Sequence, residues 1–169
     1  MSKTRKVLNI SLDVLAGGSL LVMVLLTVWQ VFTRYILKNP SSWSEELVSY
    51  MFAWSSLFGA AIVSGEREHM NILALVEKFS HGKQVLFGIV SEVVALIFAL
   101  AILVFGGVQI ANLAMGQMTS SLGVPIGIFY VVLPVAGILI VLYSILNIVD
   151  ILKGNIPPIN VVQESSKED

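Results

Sequence analysis

The stretch that decides the fold is Val93 to Val149, "VVALIFALAILVFGGVQIANLAMGQMTSSLGVPIGIFYVVLPVAGILIVLYSILNIV". Its 57 residues contain no Asp, Glu, Lys or Arg. A hydrocarbon core of about 30 Å takes roughly 20 apolar residues as helix, so this run is too long for one crossing and too short for three. "GQMTSSLGVP", 116–125, clusters four polar residues, two glycines and a proline, and divides it into two spans. Residues 14–33 and 47–65 are likewise free of charge.

The whole chain agrees. It has 169 residues, 56% hydrophobic and 12% charged, with mean hydropathy +0.88. Soluble domains carry about 25% charge. The fold class that follows is an all-α integral membrane protein with four long spans at about 8–37, 44–65, 84–114 and 126–151. The first and third, about 45 Å long as helices, exceed the hydrocarbon thickness and are expected to tilt. Asn39-Pro40 is expected to end the first, since proline cannot continue a helix and pushes its predecessor out of the α region.

Between the second and third spans lies "EREHMNILALVEKFSHGK", 66–83. Met70, Leu73, Val76 and Glu77 suit a short amphipathic helix lying in the interface. The membrane domain then covers 1–153, and the Pro- and charge-bearing tail 154–169 is expected to be disordered. The basic N-terminus (Lys3, Arg5, Lys6) leads into an apolar run too long for a signal peptide and lacking a small-x-small cleavage site, so it reads as an uncleaved first span. With the N-terminus inside, inner segments hold Lys3, Arg5, Lys6, Arg67, Lys78, Lys83, Lys153 and Lys167, while outer ones hold only Arg34 and Lys38. That asymmetry puts both termini in the cytoplasm.

Several chemistries are excluded or disfavoured. There is no cysteine, hence no disulfide, thiolate metal site or iron–sulfur cluster. The net charge of −1 gives no footprint for nucleic acid. His69 and His81 both lie outside the spans, which rules out bis-histidine haem across the bilayer. Neither a catalytic site nor a cofactor is expected.

Helix faces direct attention to partners. Ser49, Ala53, Ser56, Ala60 and Ser64 line one face of the second span, with Glu45 on the same stripe. Ala95, Ala99 and Gly106 line the third, with Glu92 below and Gln109 above. Small residues let helices approach closely in lipid, either within this bundle or against another membrane subunit. Glu92 is a carboxylate inside a span. It either snorkels toward Arg67 or His69, meets a partner subunit, or handles a proton or ion. At "NPSSWSEE", 39–46, Ser42 and Glu45 fit a capping box and Trp43 the aromatic belt. Glu46 is left over; it either pairs locally with Arg34 and Lys38 or belongs to an outer docking surface.

The residues also resemble a family. "QVFTRYILKNPSSWSEELVSYMFAWSSLFGAAIVSGEREH", 30–69, is similar to the small membrane subunit, DctQ-like, of tripartite ATP-independent periplasmic (TRAP) transporters. Gln30, Arg34, Tyr35, Asn39-Pro40, Trp43, Glu45-Glu46, Trp54, Gly59-Ala60, Arg67 and His69 fall where that family's pattern has them. "LGVPIGIFYVVLP", 122–134, is a weaker match. Ser49 stands where many members have Arg.

The resemblance implies a soluble periplasmic protein that captures an organic acid and a large membrane subunit that carries the substrate and sodium sites. This chain is expected to support the large subunit's scaffold in the bacterial inner membrane. Its partners would be that subunit, the binding protein and membrane lipids. It would contain no substrate site or sodium site of its own. The interface candidates are then Arg34, Lys38, Trp43, Glu45, Glu46, Ser49, Ala53, Ser56, Ala60, Arg67, His69, Glu92, Ala95, Ala99 and Gly106. Overall resemblance leans toward sialic acid over a C4-dicarboxylate as the transported acid. The rival readings are an autonomous small four-helix transporter and a membrane anchor for a redox complex.

Overall fold

The computed structural model describes residues 3–66 and 81–154. The expected interfacial helix, Arg67, His69 and the tail beyond Gly154 lie outside the described residues. The described chain is helical: α1 (Lys3–Tyr35), α2 (Ser42–Glu66), α3 (His81–Phe98), a π-helical segment (Ala99–Gly106), α4 (Gly107–Ala114), α5 (Gly127–Tyr130) and α6 (Val132–Leu152). Four stretches are long and apolar enough to cross a membrane: Arg5–Tyr35, Ser42–Gly65, Gly82–Ala114 and Gly127–Leu152. All four expected spans are present, displaced at their ends by up to a few residues. The first helix starts earlier than expected, because Lys3 to Lys6 join it.

The first helix also stops before Asn39-Pro40. It ends at Tyr35, the amides of Ile36 and Leu37 both reach the Phe32 carbonyl, and the Asn39 amide reaches that of Thr33. Lys38 takes the left-handed conformation at φ 51°. The stop is thus made by a turn that satisfies the last carbonyls, and proline enters only after it.

The spans do not form a closed square. The first packs on the second, the second on the fourth, and the fourth on the third. The fourth is therefore central, and it is the one whose interior is best developed: Val132, Ala136, Ile140, Tyr143 and Ile151 are buried along it. Leu12, Phe58, Ala61 and Ala99 from the other three spans complete the core.

Glycine makes the third and fourth spans fit. A Cβ on Gly107 would stand 2.9 Å from Leu133 Cβ, and one on Gly137 would stand 2.7 Å from Leu103 Cβ and 3.1 Å from the Val104 amide nitrogen. Without side chains at these points the backbones close up, as packing-driven association in lipid requires. The π-helical segment lies in this contact and ends at Gly106, with Gly107 beginning α4.

The fourth span is interrupted at Val131, between α5 and α6. Pro134, lacking an N–H, sits in the first turn of α6, where its fixed φ and missing donor do least harm. The Trp54 indole donates to the Phe129 carbonyl at 2.9 Å, satisfying a group at the break. Tyr50 stacks on the Phe129 ring with centroids 3.9 Å apart.

Candidate functional sites at the two ends of the bundle

At the end of the bundle away from the chain termini, Glu46 occupies the second turn of α2 and faces the 116–126 turn. That turn is a small hairpin. Met118 and Pro125 form an antiparallel bridge, Thr119 N–H reaches Val124 O at 2.9 Å, and Gly123 supplies φ +66°. The amides of Ser120 and Ser121 both point at the Glu46 carboxylate, at 3.1 and 2.9 Å. Consecutive backbone N–H groups make a concavity suited to an anion, and Glu46 fills it.

Of the two readings of Glu46, the local pairing with Arg34 and Lys38 is not formed. Arg34 takes Glu45 instead, tying the end of α1 to the start of α2. The capping box is likewise replaced: α2 begins at Ser42 itself, and the Ser44 hydroxyl bonds the Ser41 carbonyl at 2.8 Å. Glu45, Lys38 and Trp43 remain exposed on the rim at this end of the bundle.

Glu46→Ala is expected to loosen the turn without disturbing the spans. The two charge-assisted bonds are partly exposed, so their local worth is about 1–2 kcal/mol. Hydrogen exchange at the Ser120 and Ser121 amides is expected to quicken roughly tenfold, with exchange in α6 unchanged. Equal protection in the two proteins would show that the clamp contributes nothing.

At the end that carries the chain termini all four spans meet in a polar knot. Glu92 is 8% exposed and accepts from Asn147 Nδ2 at 3.1 Å. The same nitrogen lies 3.2 Å from the Ser64 carbonyl. Asn147 Oδ1 accepts from Arg5 Nη2 at 2.6 Å, and that nitrogen also donates to the Gly65 carbonyl at 2.8 Å. Arg5 Nη1 completes an ion pair with Asp150 at 3.0 Å. One turn further along α1, Asn9 Oδ1 accepts from the Tyr143 hydroxyl at 2.6 Å. Gly65 lies flat under the Tyr143 ring, where a Cβ would come within 2.7 Å of Cε1.

Of these residues only Glu92 and Ser64 are singled out by the sequence reading. Arg5 reads as a topology signal and Asp150 as the end of a span. Their contacts cross 142 to 145 positions of sequence. The available signal is weak but real: Arg5 and Asn9 repeat at i, i+4, as do Tyr143 and Asn147, and apolar spans hold polar residues for a reason.

The small-residue stripes separate. Ser49, Ala53, Ser56 and Ala60 are exposed along α2, whereas Ser64 is buried in the knot. The Ser49 and Ser56 hydroxyls bond the Glu45 and Phe52 carbonyls of their own helix, at 3.1 and 2.9 Å. In the third span Ala99 is fully buried against the chain's own core, so it is not available to a partner; Ala95 and Gly106 are half-buried. Because the second and third spans both lean on the fourth, a groove of about 560 Å³ runs between them. Leu57, Ala60, Phe98, Leu103 and Ile140 give it apolar walls, and Ser91 and Glu92 a polar end. It opens sideways, past Val94 and Phe98, rather than through the bundle.

Residues 23–154 match the model of the family described as "Tripartite ATP-independent periplasmic transporters, DctQ component". The chain belongs to the DctQ family. The match covers the 30–69 and 122–134 stretches from which the resemblance was read. Among curated DctQ-type relatives, the chain is 28% identical over 153 residues to "Sialic acid TRAP transporter small permease protein SiaQ" of Vibrio cholerae, covering 89% of this chain and 88% of that protein. A "Putative TRAP transporter small permease protein" of Haemophilus influenzae is 27% identical over 133 residues, covering 79% and 82%. A second protein of that description from the same organism is 23% identical over 148 residues. This DctQ chain is thus a TRAP small permease subunit, a multi-pass protein of the bacterial inner membrane and not an enzyme.

Proposed function

We propose that this subunit braces the large membrane subunit of its transporter and helps seat the periplasmic binding protein, while substrate and sodium are handled by those partners. The observation that carries the reading is the exposed face of α2: Ser49, Ala53, Ser56 and Ala60 present a flat, small surface whose two hydroxyls are satisfied within the helix. Such a face gains little from lipid and much from a closely packed helix. Only 6% of the most apolar window of the first span is buried within the chain, so ample surface remains for a neighbour. Ala95 and Glu92 line the groove beside Ala60, and Gly106 is a further candidate for the same interface. In this reading the termini are cytoplasmic, following the Lys/Arg asymmetry.

At the outer end the Glu46-clamped hairpin, with Arg34, Lys38, Trp43 and Glu45 beside it, is a rigid rim on which a soluble protein can settle. Sodium-coupled uptake of an organic acid follows from the expected division of labour, and the SiaQ relative favours sialic acid.

Ala53→Trp tests the brace. It places a bulky ring where a partner backbone is expected and leaves this chain's own core alone. Co-purification with a co-expressed large subunit is expected to fall by at least about tenfold, with membrane insertion unchanged. Undiminished recovery of the pair would refute the assignment of this face. The substrate is tested by uptake of N-acetylneuraminate against succinate in proteoliposomes holding all three components and a sodium gradient. Faster succinate uptake would remove the sialic acid assignment and leave the brace standing.

A further inference from the structure

Among the described residues, Arg34, Lys38, Glu45 and Glu46 are the charged side chains on the rim away from the chain termini. Three of them are already committed. Arg34 pairs with Glu45. Glu46 is turned to the Ser120 and Ser121 amides. Lys38 is exposed, and its ammonium has no hydrogen bond or ion pair among the described residues.

The backbone singles out the same residue. Lys38 stands at φ 51°, in the left-handed region, and is the one non-glycine residue there among those described. A Cβ is crowded in that conformation, so glycine, or sometimes asparagine, is the usual occupant after a helix. Closing the helix does not call for a lysine. The Phe32 carbonyl accepts from the Ile36 and Leu37 amides, and the Thr33 carbonyl from the Asn39 amide. Backbone donors close the turn, and glycine would close it with less strain. Spanning the membrane does not call for it either. The charge-free run of the first span, 14–33, is by itself long enough to cross the hydrocarbon, and Lys38 lies past its end.

A free cation kept in a strained conformation, beside charges that are already paired, is suited to a contact outside the chain. We propose that Lys38 is the charged anchor for the periplasmic binding protein, donating to a carboxylate on an acidic patch of that partner. The inference rests on the docking role proposed above, and adds to it the residue and the sign of the surface it meets. Arg34 and Glu45 neutralise one another on the same rim, and Glu46 holds the hairpin still. The rim therefore offers one uncommitted positive contact on a fixed platform. A charge pair at a wet rim acts on encounter and salt dependence more than on tight affinity.

The test is binding of the transporter's own periplasmic protein, fluorescently labelled, to the assembled membrane subunits in proteoliposomes. Lys38→Gly is expected to weaken binding about threefold to fivefold, while the purified subunit melts no lower than the wild type. Lys38→Glu is expected to weaken it by at least about tenfold. Lys38→Arg keeps the charge and is expected to restore most of the affinity. Raised salt is expected to weaken wild-type binding and to leave Lys38→Gly little changed. Unchanged affinity in Lys38→Gly and Lys38→Glu would overturn the proposal. A Lys38→Gly subunit that melts well below the wild type would show a structural lysine, and would also overturn it. A loss that disappears when phosphatidylglycerol is left out of the vesicles would show a lipid phosphate as the true partner, with the same consequence. Ser120→Trp separates this proposal from the docking role, because it puts a ring on the exposed hairpin and leaves Lys38 in place. If it weakens binding while the Lys38 variants do not, the rim docks the protein and Lys38 is not its anchor. If none of the variants weakens binding, the docking role falls as well.

Discussion

Asn147→Leu is expected to lower the stability of this protein by about 2–4 kcal/mol, more than any change on its surface. The residue is fully buried and serves three of the four spans at once, through Arg5, the Ser64 carbonyl and Glu92. Leucine keeps asparagine's branching and number of side-chain heavy atoms, so the loss is chiefly of polar satisfaction, with some overpacking from its bulkier methyls. Two considerations fix the magnitude. Hydrogen bonds between membrane helices average only about 0.6 kcal/mol, because the separated helices find other partners. Stranding a buried charged group costs several times that. Loss of the Asn147 bond adds part of the second cost at Glu92, and Arg5 keeps Asp150 and the Gly65 carbonyl. The unfolding temperature in detergent is expected to fall by roughly 5–15 °C. Asn147→Gln, which keeps the amide on a longer stem, is expected to lose about half as much. A leucine variant melting within about 2 °C of the wild type would show that the knot is incidental to stability.

The second large effect is expected at Gly137. A valine there would drive its Cβ to 2.7 Å from Leu103 Cβ and 3.1 Å from the Val104 amide nitrogen. Backbone cannot yield as a flexible side chain can. The third and fourth spans must therefore separate, at a cost of about 1–3 kcal/mol or more, and Gly107 is lost from its seat against Leu133 and Pro134. Thermal unfolding reads the loss. Its cause is read by the double variant: Val104→Ala removes the Cγ2 that would stand 2.9 Å from the new Cβ and is expected to return part of the lost stability, a favourable coupling between adjacent sites. Strictly additive effects would mean that the two positions do not press on one another.

The membrane spans were legible because charge is so scarce. Val93 to Val149 is too long for one span, and the turn at 116–125 falls where four polar residues, two glycines and a proline cluster. Helix ends were less so. Asn39-Pro40 marks a stop correctly in kind, but the helix ends at Tyr35 because Lys38 turns the chain first. Glu46 was recognised as unexplained, yet its partners are amides 74 and 75 positions away. A backbone donor has no side-chain signature, so no reading of residue types points to it. The inner knot was hidden for a related reason. Arg5 and Asp150 each look like ordinary markers of a membrane boundary, and only the antiparallel placement of the first and fourth spans joins them. The small-residue stripes were visible as periodicity, but periodicity does not say which stripe the chain uses itself. Ala99 is taken up inside while Ala53 is left outside.

The central place of the fourth span has a consequence for biogenesis. Of the four spans it is the last to leave the ribosome, yet the second and third both rest on it. Until it is inserted, the early hairpin and the third helix have no shared seat, and Arg5 and Glu92 wait in the membrane without Asn147. The subunit is therefore built to mature in a single late step, and a nascent chain halted before Gly127 is a natural target for membrane quality-control proteases.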